Sequence, residues 1–180
     1  MGASRIGLHS QSSRKNDFAC VIHRFPAAHR QDPLPTADKT GITLMKILYK
    51  TRATATGGRS GHSQTDDGAF SVDLSEPDAA KTGPNPEQLF ATGYAACFDS
   101  ALQAAARLLK LSPAGTRTSV EVGIGQNVTG GHALDIDIFV VVWGISEGQA
   151  RELIEAADRL CPYSNAVRGN VDVRLHVTAT

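Results

Sequence analysis

From residue 45 onward, apolar and polar positions fall into segments with a regular period, whereas residues 1–44 show neither alternation nor helical spacing. Residues 46–56, rich in Thr and apolar side chains, predict a strand. Gly57, Gly58 and Gly61 around Arg59 mark a turn holding one charge. Asp66-Asp-Gly68 predicts a hairpin turn into a strand over 69–74, whose alternation leaves one face wet. A long helix follows over 86–109. Asn85 caps it, Pro86 suits the first helical position because its missing N–H has no partner there, and Gln88 completes a capping box. Leu89, Phe90, Cys97, Leu102 and Leu109 are its apolar members. Two strands, 119–124 and 134–143, are joined by a turn at Gly130-Gly131. Residues 134–138 alternate, while 139–143 are apolar throughout, which predicts burial on both faces at that end. Ser146-Glu-Gly-Gln149 is a second capping box, opening a helix to about Leu160 that Pro162 terminates. Residues 171–177 alternate as a last strand. The order β-β-α-β-β-α-β predicts an α+β fold with mostly antiparallel pairing.

The two parts of the chain differ in composition as well. Six of the eighteen Lys/Arg residues but only three of the eighteen Asp/Glu fall in residues 1–44, among Ser, Gln, His and Pro. Such a segment buries too little apolar surface to offset its ordering entropy, so 1–44 is expected to be a flexible extension and 45–180 the folded domain. A net charge of zero offers no basic field for nucleic acid. No apolar run is long enough to span a membrane, and no secretory leader pattern stands at the start. Three cysteines (Cys20, Cys97 and Cys161) are too few to staple a secreted fold, so a reducing cytoplasm is the expected compartment.

Cys20 lies in the extension. Cys97 and Cys161 stand one on each predicted helix, 64 residues apart, with no C-x-x-C or H-x-x-x-H pair to suggest a metal. A single thiol on an apolar helix face is ordinarily a small core hydrophobe. Arg59 in a Gly-rich turn is ordinarily a solvated charge, and Glu87 in a first helical turn is accounted for by the helix dipole. Spacing alone leaves packing and chemistry both open.

The local words around the thiols carry more. Asn85-Pro-Glu-Gln-Leu-Phe-Ala with Gly93-Tyr-Ala-Ala-Cys97-Phe, and Cys161-Pro-Tyr-Ser-Asn-Ala-Val-Arg-Gly-Asn170, resemble the organic hydroperoxide resistance (Ohr) branch of the Ohr/OsmC family. Thr54-Ala-Thr-Gly-Gly-Arg59 and Glu121-Val-Gly-Ile-Gly125 match it too, in the same order, over roughly residues 45–177. The resemblance implies an OsmC-like fold, an intertwined homodimer and a thiol peroxidase without bound metal or other cofactor. It assigns Cys97 as the peroxidatic and Cys161 as the resolving cysteine, with Arg59 and Glu87 as the charged pair that prepares the first thiol. An organic hydroperoxide is the implied substrate and a dihydrolipoyl-type dithiol the implied reductant, with Phe98, Tyr94 and Phe90 as candidate substrate lining. Two rival readings stay open: an OsmC-type osmotically induced peroxidase, and a non-enzymatic two-cysteine sensor or ligand-binding module. Two features depart from the family's pattern. Asp99 stands where an apolar residue is common, and the loop before Thr82 is short. Glu87 and Cys97, ten residues apart, would lie about 15 Å from each other along an unbroken helix and cannot touch directly, so either Arg59 bridges part of that gap or the helix bends near Gly93.

Overall fold

The computed structural model describes residues 21–23, 46–77, 79–80 and 83–180. Apart from 21–23, the extension over 1–44, and Cys20 with it, lies outside the described residues. Strand β1 (Val21–His23) pairs antiparallel with the last strand of the chain. A small sheet follows: β2 (Ala53–Thr56), β3 (His62–Thr65) and β4 (Ser71–Asp73), with a 3₁₀ turn at Gly58–Ser60 between the first two. The strand expected over 46–56 is thus confined to its last four residues, and β3 was not expected. Helix α1 (Pro86–Leu109) leads to β5 (Gly115–Gln126) and β6 (His132–Trp143). Helices α2 (Glu147–Leu160) and α3 (Pro162–Val167) precede β7 (Val173–Ala179).

The larger sheet has the order β1-β7-β6-β5, antiparallel except between β6 and β7, which run parallel. Parallel neighbours need a crossover, and α2 with α3 supplies it. The architecture is therefore α+β and mostly antiparallel, as the element order predicts. Both expected capping boxes form. Asn85 exchanges hydrogen bonds with Gln88 at 2.8 Å each way, and Ser146 does the same with Gln149 at 3.0 and 3.3 Å. Helices α1 and α2 lie on one face of the sheet, where Phe98, Leu102, Ile136, Ile138, Val140 and Leu153 form the core.

Among the described residues, no helix packs on the other face of the sheet. On β6 the alternation continues to the end of the strand: Val140 and Val142 are buried, Phe139 and Val141 half-buried, and Trp143 exposed. The expected two-sided burial of 139–143 is not found, because both helices pack on the same side. This outer face instead holds a charge network. Arg174 donates to both oxygens of Asp135 at 2.7 and 2.8 Å, and its Nε donates to Asp137 at 2.8 Å. His176 lies 2.7 Å from Asp137 and stacks on Phe139.

The hydrogen bonds from Arg174, helped by His176 and opposed by burial, hold the Asp137 carboxyl at about 2 against an ordinary 3.8. A carboxyl depressed in the folded state stabilises the fold above its unfolded pKa and loses that contribution as pH falls toward the folded one. About 2 kcal/mol of stability is therefore expected to disappear between roughly pH 4 and pH 2. Denaturant titrations across that range check this, with Asp137→Asn expected to be weaker near neutrality and flatter below pH 4.

Candidate active site

A glycine-dependent turn positions the charged half of the site. Gly57 and Gly58 take positive φ values of 78° and 60°, and a Cβ on Gly61 would lie 1.8 Å from the Thr56 carbonyl oxygen. This tight turn presents Arg59 to the first turn of α1. Its Nη1 and Nη2 donate to the two Glu87 oxygens at 2.9 and 2.5 Å, a planar fork on a carboxylate. Nε faces Glu76 at 3.4 Å, so one guanidinium serves two carboxylates. The Arg59 hydrogen bonds hold the Glu87 carboxyl below the usual range, against the burial that opposes them.

The thiol half lies farther along α1. Cys97 Sγ and Cys161 Sγ are 3.6 Å apart, both as free thiols; Cys97 is half-buried and Cys161 fully buried. Cys161 sits at the junction of α2 and α3, where Pro162 forces the chain to turn and start a new short helix. Burial pushes the Cys97 thiol pKa up; a hydrogen bond from the Tyr163 backbone N–H to its sulfur opposes that rise, and Cys161 adds to it. Helix α1 is continuous from Pro86 to Leu109, with no break at Gly93. The glycine at 93 has another cause: the Tyr163 ring packs over it, and a Cβ there would meet the Tyr163 hydroxyl at 3.2 Å. The structure therefore brings Arg59 to Glu87 and Cys97 to Cys161, while within one chain about 15 Å of helix separates Glu87 from Cys97.

A cleft of about 610 Å³ opens at Cys97, walled mainly by Ala101, Ala104, Leu108, Leu160 and Pro162. Of the three aromatics expected to line it, Tyr94 and Phe98 are completely buried in the core. Phe90 is half-buried, packed edge-on to Tyr94 and beside Tyr163. The cleft residues 100, 101, 104 and 108 recur at the helical period from Cys97, a pattern present in the sequence. Asp99 points away from the thiol, as its place two residues on predicts: it accepts from Thr116 and Thr118 at 2.9 and 3.3 Å and ties α1 to β5. Sequence reasoning missed Glu76, the Tyr163 amide and Ser164, whose hydroxyl lies 2.9 Å from that of Tyr94. No group of three or more His, Cys, Asp or Glu able to hold a metal occurs among the described residues.

Residues 77–176 match the family model described as OsmC-like protein. An organic hydroperoxide resistance protein of Xanthomonas axonopodis pv. citri is 44% identical over 135 residues, covering 72% of this chain and 94% of that one. The chain belongs to the Ohr branch of the OsmC family. OhrB of Bacillus subtilis is 40% identical over 134 residues, covering 72% of this chain and 98% of its own. The crystal structure of an organic hydroperoxide resistance protein from Elizabethkingia anophelis superimposes with a TM-score of 0.72 at 43% identity, over 76% of this chain and all of that one. Within this OsmC-family chain, the family-model match takes in Glu87 and both helix thiols but ends short of the turn bearing Arg59.

Proposed function

We propose that this chain is a cysteine-based peroxidase that reduces organic hydroperoxides to alcohols. The observation that carries the reading is the 3.6 Å separation of two free thiols, one of them open to an apolar cleft. The Cys97 thiolate attacks the distal oxygen of the hydroperoxide, the O–O bond breaks, and the alkoxide leaves and takes a proton to become the alcohol. Cys97 is left as a sulfenic acid. Cys161 then attacks that sulfur; the S–S bond forms and water leaves with the Cys161 proton, which halts oxidation before its irreversible stages. A lipoyl-type dithiol reopens the disulfide by exchange, becoming a disulfide itself. The apolar walls of the cleft favour an alkyl hydroperoxide over hydrogen peroxide, because burial of the alkyl group adds binding free energy. The names of the Xanthomonas and Bacillus relatives agree with this reading. Among the described residues no helix is long and apolar enough to cross a membrane, which fits action in a reducing cytoplasm.

The nucleophile has to be the thiolate, and burial disfavours it, so a nearby cation is required. Arg59 suits the task because it stays charged when desolvated and its fork serves a carboxylate and a thiolate together. In this reading the protein is a homodimer in which the Arg59–Glu87 pair of one copy attends the thiols of the other. The β2–β4 sheet supports a second copy. All four β2 residues are exposed, and Ile47, Leu48 and Tyr49 beside them are exposed by 58, 87 and 77%. An isolated sheet of three short strands is marginal without a partner to pack on.

Peptide masses taken over seconds after mixing the reduced protein with an alkyl hydroperoxide test the cycle. The expected product is a Cys97–Cys161 disulfide, formed faster than with hydrogen peroxide. Cys161→Ser is expected to undergo the first oxidation but not sustained dithiol-driven turnover. Oxidation without turnover in the unaltered protein would mean a redox sensor; both thiols staying reduced would mean a packing role only.

A further inference from the structure

One buried hydrogen bond stands in a fixed relation to the thiol pair. Tyr94 precedes Cys97 by three residues, and Ser164 follows Cys161 by three. Each hydroxyl-bearing residue is thus about one helical turn from a thiol, on its own helix. The two hydroxyl oxygens lie 2.9 Å apart, and both residues are almost wholly inaccessible, Tyr94 at 0% and Ser164 at 2%. We propose that the Tyr94–Ser164 hydrogen bond is a positioning clamp. It holds α3 in register on α1, so that Cys161 captures the oxidised Cys97 before a second hydroperoxide does. The clamp rests on the two-thiol peroxidase reading and adds to it the pair that sets how often each oxidation ends safely.

Helix α3 has only six residues, and its other aromatic contacts with α1 are those of the Tyr163 ring. That ring lies 5.7 Å from Tyr94 and 6.0 Å from Phe90, tilted against both. Such contacts exclude water but tolerate rotation and sliding. A hydrogen bond between buried hydroxyls is directional, and breaking it leaves a polar group without water to take its place. The constraint passes from Ser164 to Cys161 through the α3 backbone, where the Asn165 N–H donates to the Cys161 carbonyl at 3.0 Å. Register matters because the sulfurs must close from 3.6 Å to the bonded distance of about 2.05 Å in one geometry. Burial raises the Tyr94 hydroxyl pKa to about 12, so at neutral pH it is protonated and able to donate.

Two reactions compete for the sulfenic acid. In the first, the Cys161 sulfur attacks, an S–S bond forms, the S–O bond breaks, and water leaves. In the second, the sulfenate sulfur attacks another hydroperoxide, the O–O bond breaks, an alcohol leaves, and Cys97 becomes a sulfinic acid. Only the second depends on hydroperoxide concentration. A looser α3 slows the first and leaves the second alone.

The test uses the reduced full chain, the three single variants Ser164→Ala, Tyr94→Phe and Ser164→Thr, and the Ser164→Ala/Tyr94→Phe double variant, each treated with excess alkyl hydroperoxide. Peptide masses give the ratio of Cys97–Cys161 disulfide to Cys97 carrying two added oxygens, and single-turnover kinetics give the rate of the first oxidation. Ser164→Ala and Tyr94→Phe are each expected to lower the ratio about tenfold, the bias that one net hydrogen bond sets. Their double variant should fall little further, since both remove the same bond. Ser164→Thr keeps the hydroxyl and is expected to keep most of the ratio. The first oxidation should stay at the unaltered rate in all of them. An unchanged ratio in both single variants overturns the clamp. So does a lower ratio accompanied by an equally slowed first oxidation, which would mean general loosening of the site. An unaltered protein that never oxidises at Cys97 overturns the peroxidase reading instead, so the two failures are distinguishable.

Discussion

Cys97→Ser is expected to lower hydroperoxide turnover by about a thousandfold or more, the scale seen when a nucleophile is removed from a site whose groups act as a unit. The physical reason is specific to the sulfur. A serine hydroxyl stays protonated at neutral pH and forms no stable product analogous to the sulfenic acid, so neither the first step nor the disulfide can follow. Cys161 offers no substitute, since it is completely buried and only Cys97 of the pair borders the cleft. The fold is expected to survive, because serine is close to cysteine in size and the Tyr163 N–H that reaches the sulfur can reach a hydroxyl oxygen as well. The measurement is steady-state turnover with an alkyl hydroperoxide and a dithiol, alongside thermal unfolding. Turnover that persists in a folded variant would place the nucleophile elsewhere. A second signature belongs with it. Burial raises the Cys97 pKa where no cation attends the thiol, so the first oxidation of Arg59→Gln should accelerate as pH rises through the neutral range.

How much of this was legible in the sequence depends on where each signal resides. The helix starts were legible because capping is local: Asn85 with Gln88 and Ser146 with Gln149 use side chains three residues apart, and the structure forms both boxes. The α+β layout followed from the element order. The small sheet was read poorly for a physical reason. The β3 strand reads His-Ser-Gln-Thr and β2 is exposed along its whole length, so neither has the buried face that produces apolar alternation. The apolar run 139–143 was over-read because chain pattern cannot say that both helices settle on one side of the sheet. Tyr94 and Phe98 are candidate substrate lining by resemblance, yet helical phase turns them to the core and leaves 100, 104 and 108 on the open side. The Arg59–Glu87 pair joins groups 28 residues apart and Tyr94–Ser164 joins groups 70 apart; no periodicity reports contacts of that range.

Mixing two inactive variants is expected to restore activity. Arg59→Gln should lower the rate of Cys97 oxidation by about a hundredfold, the scale of one preorganised charge at a reacting centre. Cys97→Ser should be inactive outright. In the unaltered chain the guanidinium is occupied by Glu87 at the first turn of α1, with a second carboxylate, Glu76, on its Nε edge. Cys97 stands about 15 Å up the same unbroken helix, and side chains on a helix lean toward its N-terminus, so the Glu87 carboxylate does not lean toward the thiol. On the homodimer reading, such a pair attends the thiol of a second copy packed across the exposed face of α1 rather than that of its own chain. Unfolding the two variants together and refolding them makes half of the dimers mixed. Each mixed dimer then has one site with an intact Cys97 and an intact Arg59 from the opposite chain. Turnover should recover to about a quarter of the unaltered value per chain. If instead each chain served its own thiol, every site in the mixture would lack either the sulfur or the cation, and mixing would restore nothing. The same experiment reads the oligomeric state, because recovery requires subunits to reassort. It also tests the thiolate argument independently: raising the pH should partly rescue Arg59→Gln alone, since hydroxide supplies the thiolate that the missing cation no longer favours.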